Sequence, residues 1–204
     1  MVSCAELPVT VKLRAPCCVK EFYFTVSRLL FLSRLIDRFN GFFAKIASGM
    51  VLLACVVSAA NAMIRYGFAG GSNAWLEVQW YLFAGMVMLG SAYTLSRNGH
   101  VRVDVLYGNW KPRTCAWMDL FGFIVFLLPV MTWLLIYSWP MFAGAWASGE
   151  VSANAGGLPL WPAKLMLPLG FGLLLLQGIA EIIKRIAYLR GELDMDLHYE
   201  KPLQ

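Results

Sequence analysis

The chain has 204 residues, 59% of them hydrophobic and only 14% charged, and its mean hydropathy is +0.62. Water-soluble domains run nearer ~45–50% apolar and ~25% charged, so a soluble enzyme and a disordered chain are both excluded. The net charge of +5 would suit nucleic acid, but in a membrane protein surplus Lys and Arg marks the cytoplasmic loops.

Residues 1–20 show no periodicity. Residues 22–36 hold Phe, Val, Leu and Ile, with Arg28 and Arg34 about two turns apart. This pattern predicts an amphipathic interfacial helix lying on the inner leaflet, its basic side toward anionic lipid. A cleaved signal peptide fits poorly. The boxes that mimic cleavage sites, Leu52-Leu53-Ala54-Cys55 and Ala60-Asn61-Ala62, follow a basic segment reaching Lys45, far longer than a normal n-region. The five cysteines (Cys4, Cys17, Cys18, Cys55, Cys115) show neither disulfide density nor paired metal-ligand spacing. The adjacent Cys17-Cys18 is incidental or, in a eukaryote, a palmitoylation-type site.

Four uncharged stretches follow. Lys45 and Arg65 bracket 19 residues, Glu77 and Arg97 another 19, Asp119 and Glu150 bracket 30, and Lys164 and Glu181 bracket 16. A spanning helix needs ~20 mostly apolar residues. The expectation is an all-α membrane protein with four transmembrane helices over about 44–65, 77–97, 117–141 and 162–184. The third stretch exceeds one helix, so that helix is expected to stop near Trp139-Pro140, before an outer segment with Gly144, Ser148 and Gly149.

Charge sets the orientation. Seven Lys/Arg precede the first span, four (Arg97, Arg102, Lys111, Arg113) join the second and third, and four (Lys184, Arg185, Arg190, Lys201) follow the last. Only Arg65 and Lys164 fall in the other two connections. The positive-inside rule then places both termini in the cytoplasm. Residues 1–43 form a cytoplasmic N-terminal segment, 44–190 the membrane domain, and 191–204 a cytoplasmic tail.

Spans one, two and four carry no internal ionisable group, which argues against a complete ion pathway within this chain. His100 and His198 lie in a connection and the tail, so haem ligation is excluded. No P-loop, nucleophile motif or metal cluster is present in the sequence, and no catalytic, cofactor or metal residue is assigned. A four-helix protein without its own chemistry most often serves another subunit.

The remaining polar residues are structural or subunit-interface candidates. Asn61 and Arg65 share a face at the outer end of the first span, with Glu77 at the same depth after a short turn. Two readings stand there: an Arg65–Glu77 pair joining the helix ends, or separate reaches to the headgroups. On the first reading, Glu77→Lys weakens assembly more than Asp119→Lys. Trp75, Trp80 and Tyr81 read as an aromatic belt. Arg97-Asn98-Gly99-His100-Val101-Arg102-Val103-Asp104 ends the second span as a basic turn. Gly157, Pro159 and Trp161 belong to Ala155-Gly156-Gly157-Leu158-Pro159-Leu160-Trp161-Pro162, a docking surface or a tight lead-in with Pro162 in the first helical turn. Gln177, Glu181 and Lys184/Arg185 share a face at the inner boundary, where surface pairing contributes only tenths of a kcal/mol.

Taken together these pieces resemble the small membrane (DctQ-type) subunit of a tripartite ATP-independent periplasmic (TRAP) transporter over roughly residues 45–190. The resemblance rests on Asn61-Ala62-Met63-Ile64-Arg65-Tyr66, Trp75-Leu76-Glu77, Gly90-Ser91-Ala92-Tyr93-Thr94-Leu95 running into the 97–104 turn, Gly157-Leu158-Pro159-Leu160-Trp161-Pro162-Ala163-Lys164 and Pro168-Leu169-Gly170. The Gly-Gly-Leu-Pro stretch and the Gln177–Glu181 segment look most like the mannitol/chloroaromatic-labelled branch. The resemblance implies a non-enzymatic scaffold subunit in a bacterial inner membrane. Its implied partners are a large multi-span subunit that carries solute and coupling ion, a transient periplasmic solute-binding protein, and membrane lipid. Uptake would be of a small solute such as a carboxylate. Arg65, Glu77, Arg97, His100, Arg102 and Asp104 would then be structural or interface residues, and segments 67–76 and 144–161 would meet the binding protein. The rivals are a self-sufficient homo-oligomeric small transporter and a four-helix membrane enzyme centred on Asn61, Arg65 and Glu77.

Overall fold

The computed structural model describes residues 20–67, 72–98, 111–154 and 157–193, with the side chains of the first helix from residue 28. Among the described residues four helices follow in chain order: α1 (Lys20–Gly67), α2 (Asn73–Ser96), α3 (Pro112–Ser148) and α4 (Trp161–Leu189). Helix α4 is central, packing on α1, α2 and α3, while α1 also packs on α2.

Helix α1 has 48 residues, about 72 Å at 1.5 Å per residue, against ~30 Å of hydrocarbon. The separate N-terminal helix expected over 22–36 is therefore corrected: that segment and the first span are one unbroken helix. The cause is a seam. Ser33, Asn40, Ala47, Ala54 and Asn61 recur every seven residues and are all buried. A heptad period keeps one stripe facing its neighbours along the whole length, and short side chains let the backbones approach. Near the start of the seam, Leu30 packs with Ala187 and Leu193. Further along, Ala47 packs with Leu89, Ala92 and Leu173.

Helix α2 begins where Ser72, in an extended conformation, accepts the Ala74 N–H with its hydroxyl at 3.3 Å, an N-cap that satisfies an otherwise orphan donor. Among the described residues three helices are long and apolar enough to cross a membrane, over Arg28–Gly67, Pro112–Ser148 and Trp161–Leu189. Helix α2 has 24 residues and carries the polar side chains Glu77, Gln79, Ser91 and Thr94. Its burial of Glu77, Gly85, Leu89, Ala92 and Leu95 puts it between its neighbours.

Helix α3 starts with Pro112 at its first position, which lacks only an N–H that would be orphaned anyway. It widens into a π-helical turn over Phe123–Leu127. The stop expected near Trp139-Pro140 does not occur, and the helix runs to Ser148. Pro140 removes a single backbone donor, a loss that membrane helices tolerate. Gly149 at φ 63° ends the helix instead, in the left-handed conformation that glycine adopts without penalty. In α4, Gly170 allows the α2 backbone to approach closely. A Cβ there would lie 2.6 Å from the Met88 Cβ and 3.1 Å from its Cα.

Candidate functional site

Polar side chains gather in two places. The first, an ion network, joins three helices around the C-terminal half of α4. Arg185 is fully buried, and its guanidinium meets Asp119 Oδ2 through Nε and Nη2 at 3.3 and 3.2 Å. Its Nη1 pairs with Glu181, and Nη2 donates to Asn98 Oδ1 at 3.0 Å. The Phe123 ring of the π turn lies 5.0 Å below the guanidinium, a favourable placement for a desolvated cation. Lys184 Nζ bridges Asp37 at 2.8 Å and Glu181 at 2.9 Å. Gln177 Nε2 donates to Asp37 at 2.9 Å and Glu181 at 3.0 Å, while its Oε1 accepts Asn40 Nδ2 at 2.6 Å.

The local sequence explains how these groups converge. Gln177, Glu181, Lys184 and Arg185 fall at i, i+4, i+7 and i+8 on one helix face. Asn40 lies on the α1 seam, half-buried Asp37 stands about one turn before it, and Asp119 is seven residues into α3. Asn98, just past α2, adopts φ 53°, a left-handed conformation that Asn tolerates best after Gly. The expectation of a weak surface pairing at Lys184/Arg185 is corrected, because α1 and α3 cover that face. Burying charges this deeply is costly, so the network stands only because each charge has partners. Asp37, Asn40, Asn98 and Asp119 were the residues sequence reasoning missed. The seven-residue recurrence from Ser33 to Asn61 is the signal that marks Asn40 as inward-facing.

The second place, a loop clasp, lies at the opposite end of α2. Glu77 is buried at 2% exposure. Its Oε1 accepts Ser152 Oγ at 2.7 Å and its Oε2 accepts the Leu158 N–H at 3.2 Å. The loop it holds is a miniature hairpin. Val151 and Pro159 form an antiparallel bridge, Ser152 N–H donates to Leu158 O at 2.9 Å, and Leu160 N–H to Glu150 O at 2.9 Å. Gly157 turns the chain back through a 3.0 Å bond to Asn154 O. Glu150 pairs with Lys164 of α4, and Trp161 meets Trp146 edge-to-face at 4.7 Å.

The Arg65–Glu77 pair is thereby corrected. Both Glu77 oxygens are taken by the 150–160 loop, and Arg65 is exposed in the last turn of α1. Asn61 is buried on the seam, and Trp75 is exposed. Arg97 stacks on Tyr93, 5.3 Å from the ring, and donates to its hydroxyl at 3.1 Å. His100, Arg102 and Asp104 lie outside the described residues. Among the described residues no group of three or more His, Cys, Asp or Glu side chains could hold a metal ion.

The order of these pieces along the chain coincides with a known family. The family described as tripartite ATP-independent periplasmic transporters, DctQ component, matches residues 54–187. The chain belongs to this DctQ family. The match takes in the upper seam of α1, the Glu77 clasp, all of α3 and most of α4. DctQ components are non-enzymatic membrane permease proteins, and this one is multi-pass. A protein of Haemophilus influenzae named as a TRAP transporter small permease protein is 28% identical over 103 residues, 48% of this chain. The matched part spans 59% of that relative's length. No solved structure matches the chain.

Proposed function

We propose that this chain is the fixed scaffold subunit of a TRAP-type secondary transporter, required for ion-coupled uptake of a small solute by a larger membrane subunit. The observation that carries the reading is the ion network. The charged side chains buried among the helices are consumed in holding α1, α3 and α4 together, whereas a transport pathway keeps ionisable groups available to a moving ion or solute. Membership of the DctQ family supports the same reading.

The finer assignments rest on the sequence. The Lys/Arg distribution supports cytoplasmic termini and a bacterial inner-membrane location, with the start of α1 and the end of α4 on the cytoplasmic side. The loop clasp then lies on the periplasmic side. There, segments 67–76 and 144–161 face a solute-binding protein that docks transiently. The solute is read as a small carboxylate, and the branch as the mannitol/chloroaromatic-labelled one.

Reconstitution tests the proposal. Proteoliposomes holding the large subunit, supplied with binding protein and solute, should accumulate solute only when this chain is present. Transport at full rate without it overturns the scaffold reading, and flux through this chain alone replaces it with a self-sufficient transporter.

A further inference from the structure

The π-helical turn of α3 leaves a groove that neither the bundle nor the ion network fills. It has a volume of about 410 Å³ and is lined by Met118, Phe123, Phe126, Leu127, Val130 and Met131, with Gly122 in its floor and Asp119 at one edge. The extra residue of a π turn shifts the side-chain register of a helix. Here Phe123 turns inward over Arg185 while Phe126 stands 62% exposed, and the groove opens between them. From Met118 to Met131 it runs about 20 Å at 1.5 Å per residue, somewhat more than half of the ~30 Å hydrocarbon layer.

Charge at the groove's end indicates its occupant. Asp119 is committed to Arg185. Lys111 and Arg113 are exposed at the start of α3 and take part in no ion pair among the described residues. Lys111 is the extended residue just before α3 and Arg113 lies in its first turn, so both long side chains stand at the end of the helix from which the groove begins. An open apolar groove about 20 Å long, with two cations near its end that make no ion pair among the described residues, matches a phospholipid with a net negative headgroup. We infer that the α3 groove is a binding site for one anionic phospholipid, its acyl chain along Phe123–Val130 and its headgroup held by Lys111 and Arg113. This site is independent of the scaffold reading.

The test is native mass spectrometry of the full chain released from detergent, titrated separately with phosphatidylglycerol and phosphatidylcholine. One phosphatidylglycerol should bind ahead of the rest, and phosphatidylcholine should bind more weakly. K111A/R113A should cut the preference for the anionic lipid by about tenfold or more. G122L, which projects into open space at its Cβ, should fill the groove and remove the first bound lipid of either class. R34A/R38A on α1 should change neither result. Equal binding of both lipids, or an equal loss in R34A/R38A, overturns the site. A photo-crosslinker at position 126 that captures a protein in native membranes instead of lipid also overturns it.

Discussion

The ion network and the loop clasp are built around the same group, a buried carboxylate, yet they hold different things. Glu181 and Asp119 are held by cations from α4, and Lys184 reaches across to Asp37 of α1, so the network decides how the helices lie against one another. Glu77 is held by a hydroxyl and a backbone N–H of the 150–160 loop, so the clasp decides the shape of a connection. The distinction matters more in a bilayer than in water. Lipid tails are as apolar as leucine, so apolar contacts such as Ala47–Leu89–Leu173 select a helix arrangement only through packing. Specific arrangement then depends on polar groups that have no alternative partner in hydrocarbon.

Replacing Arg185 gives the sharpest test of that division. Arg185→Ala leaves Glu181 and Asp119 buried without their main counter-charge, and is expected to cost about 3–5 kcal/mol, read as loss of folded protein in denaturant titration. Retention of near-full stability would mean that water or lipid headgroups reach the network. The next test reverses the ranking expected from sequence. Asp119→Lys sets a second cation against Arg185 and should destabilise the bundle more than Glu77→Lys, which frees a loop. Thermal unfolding of the two variants checks this, while amide exchange at Leu158 should accelerate only in the Glu77 variant.

Smaller effects refine the comparison. A double-mutant cycle on Asn40 and Gln177 should give a coupling of about 0.5–1.5 kcal/mol, and a coupling of zero would leave Asp37 as the α1 residue that joins the network. The smallest effect is expected at Lys164→Gln. Its partner Glu150 has a side chain 44% exposed, and pairs in such surroundings contribute about 0–1 kcal/mol. A large loss there would show that the clasp, too, positions helices.

Much of the candidate site was legible in part. Gln177, Glu181, Lys184 and Arg185 stand out by their spacing on one face, but spacing says nothing about what covers that face, and so it cannot tell a buried network from a surface pairing. Glu77 was singled out correctly as a polar residue at a helix start. Of the two readings open to it, a pair with Arg65 12 residues away or a reach to the headgroups, neither names its partners, which lie 75 and 81 residues along the chain. The α1 seam was hidden because Ser33, Asn40 and Asn61 are polar, and a search for apolar periodicity passes over a stripe made of short polar and small side chains.

What the sequence alone determined are properties carried by runs of neighbouring residues. Long uncharged stretches make helices of membrane length, and the order of short motifs along them makes the chain a DctQ component. Only the tertiary structure decided which charges are buried together and where α1 divides, or rather does not divide. Arg185 meets Asp119 across 66 residues, and Lys184 meets Asp37 across 147. Such pairs exist only once packed helices bring distant segments within hydrogen-bond reach, and the low dielectric that gives them their strength is itself a product of that packing.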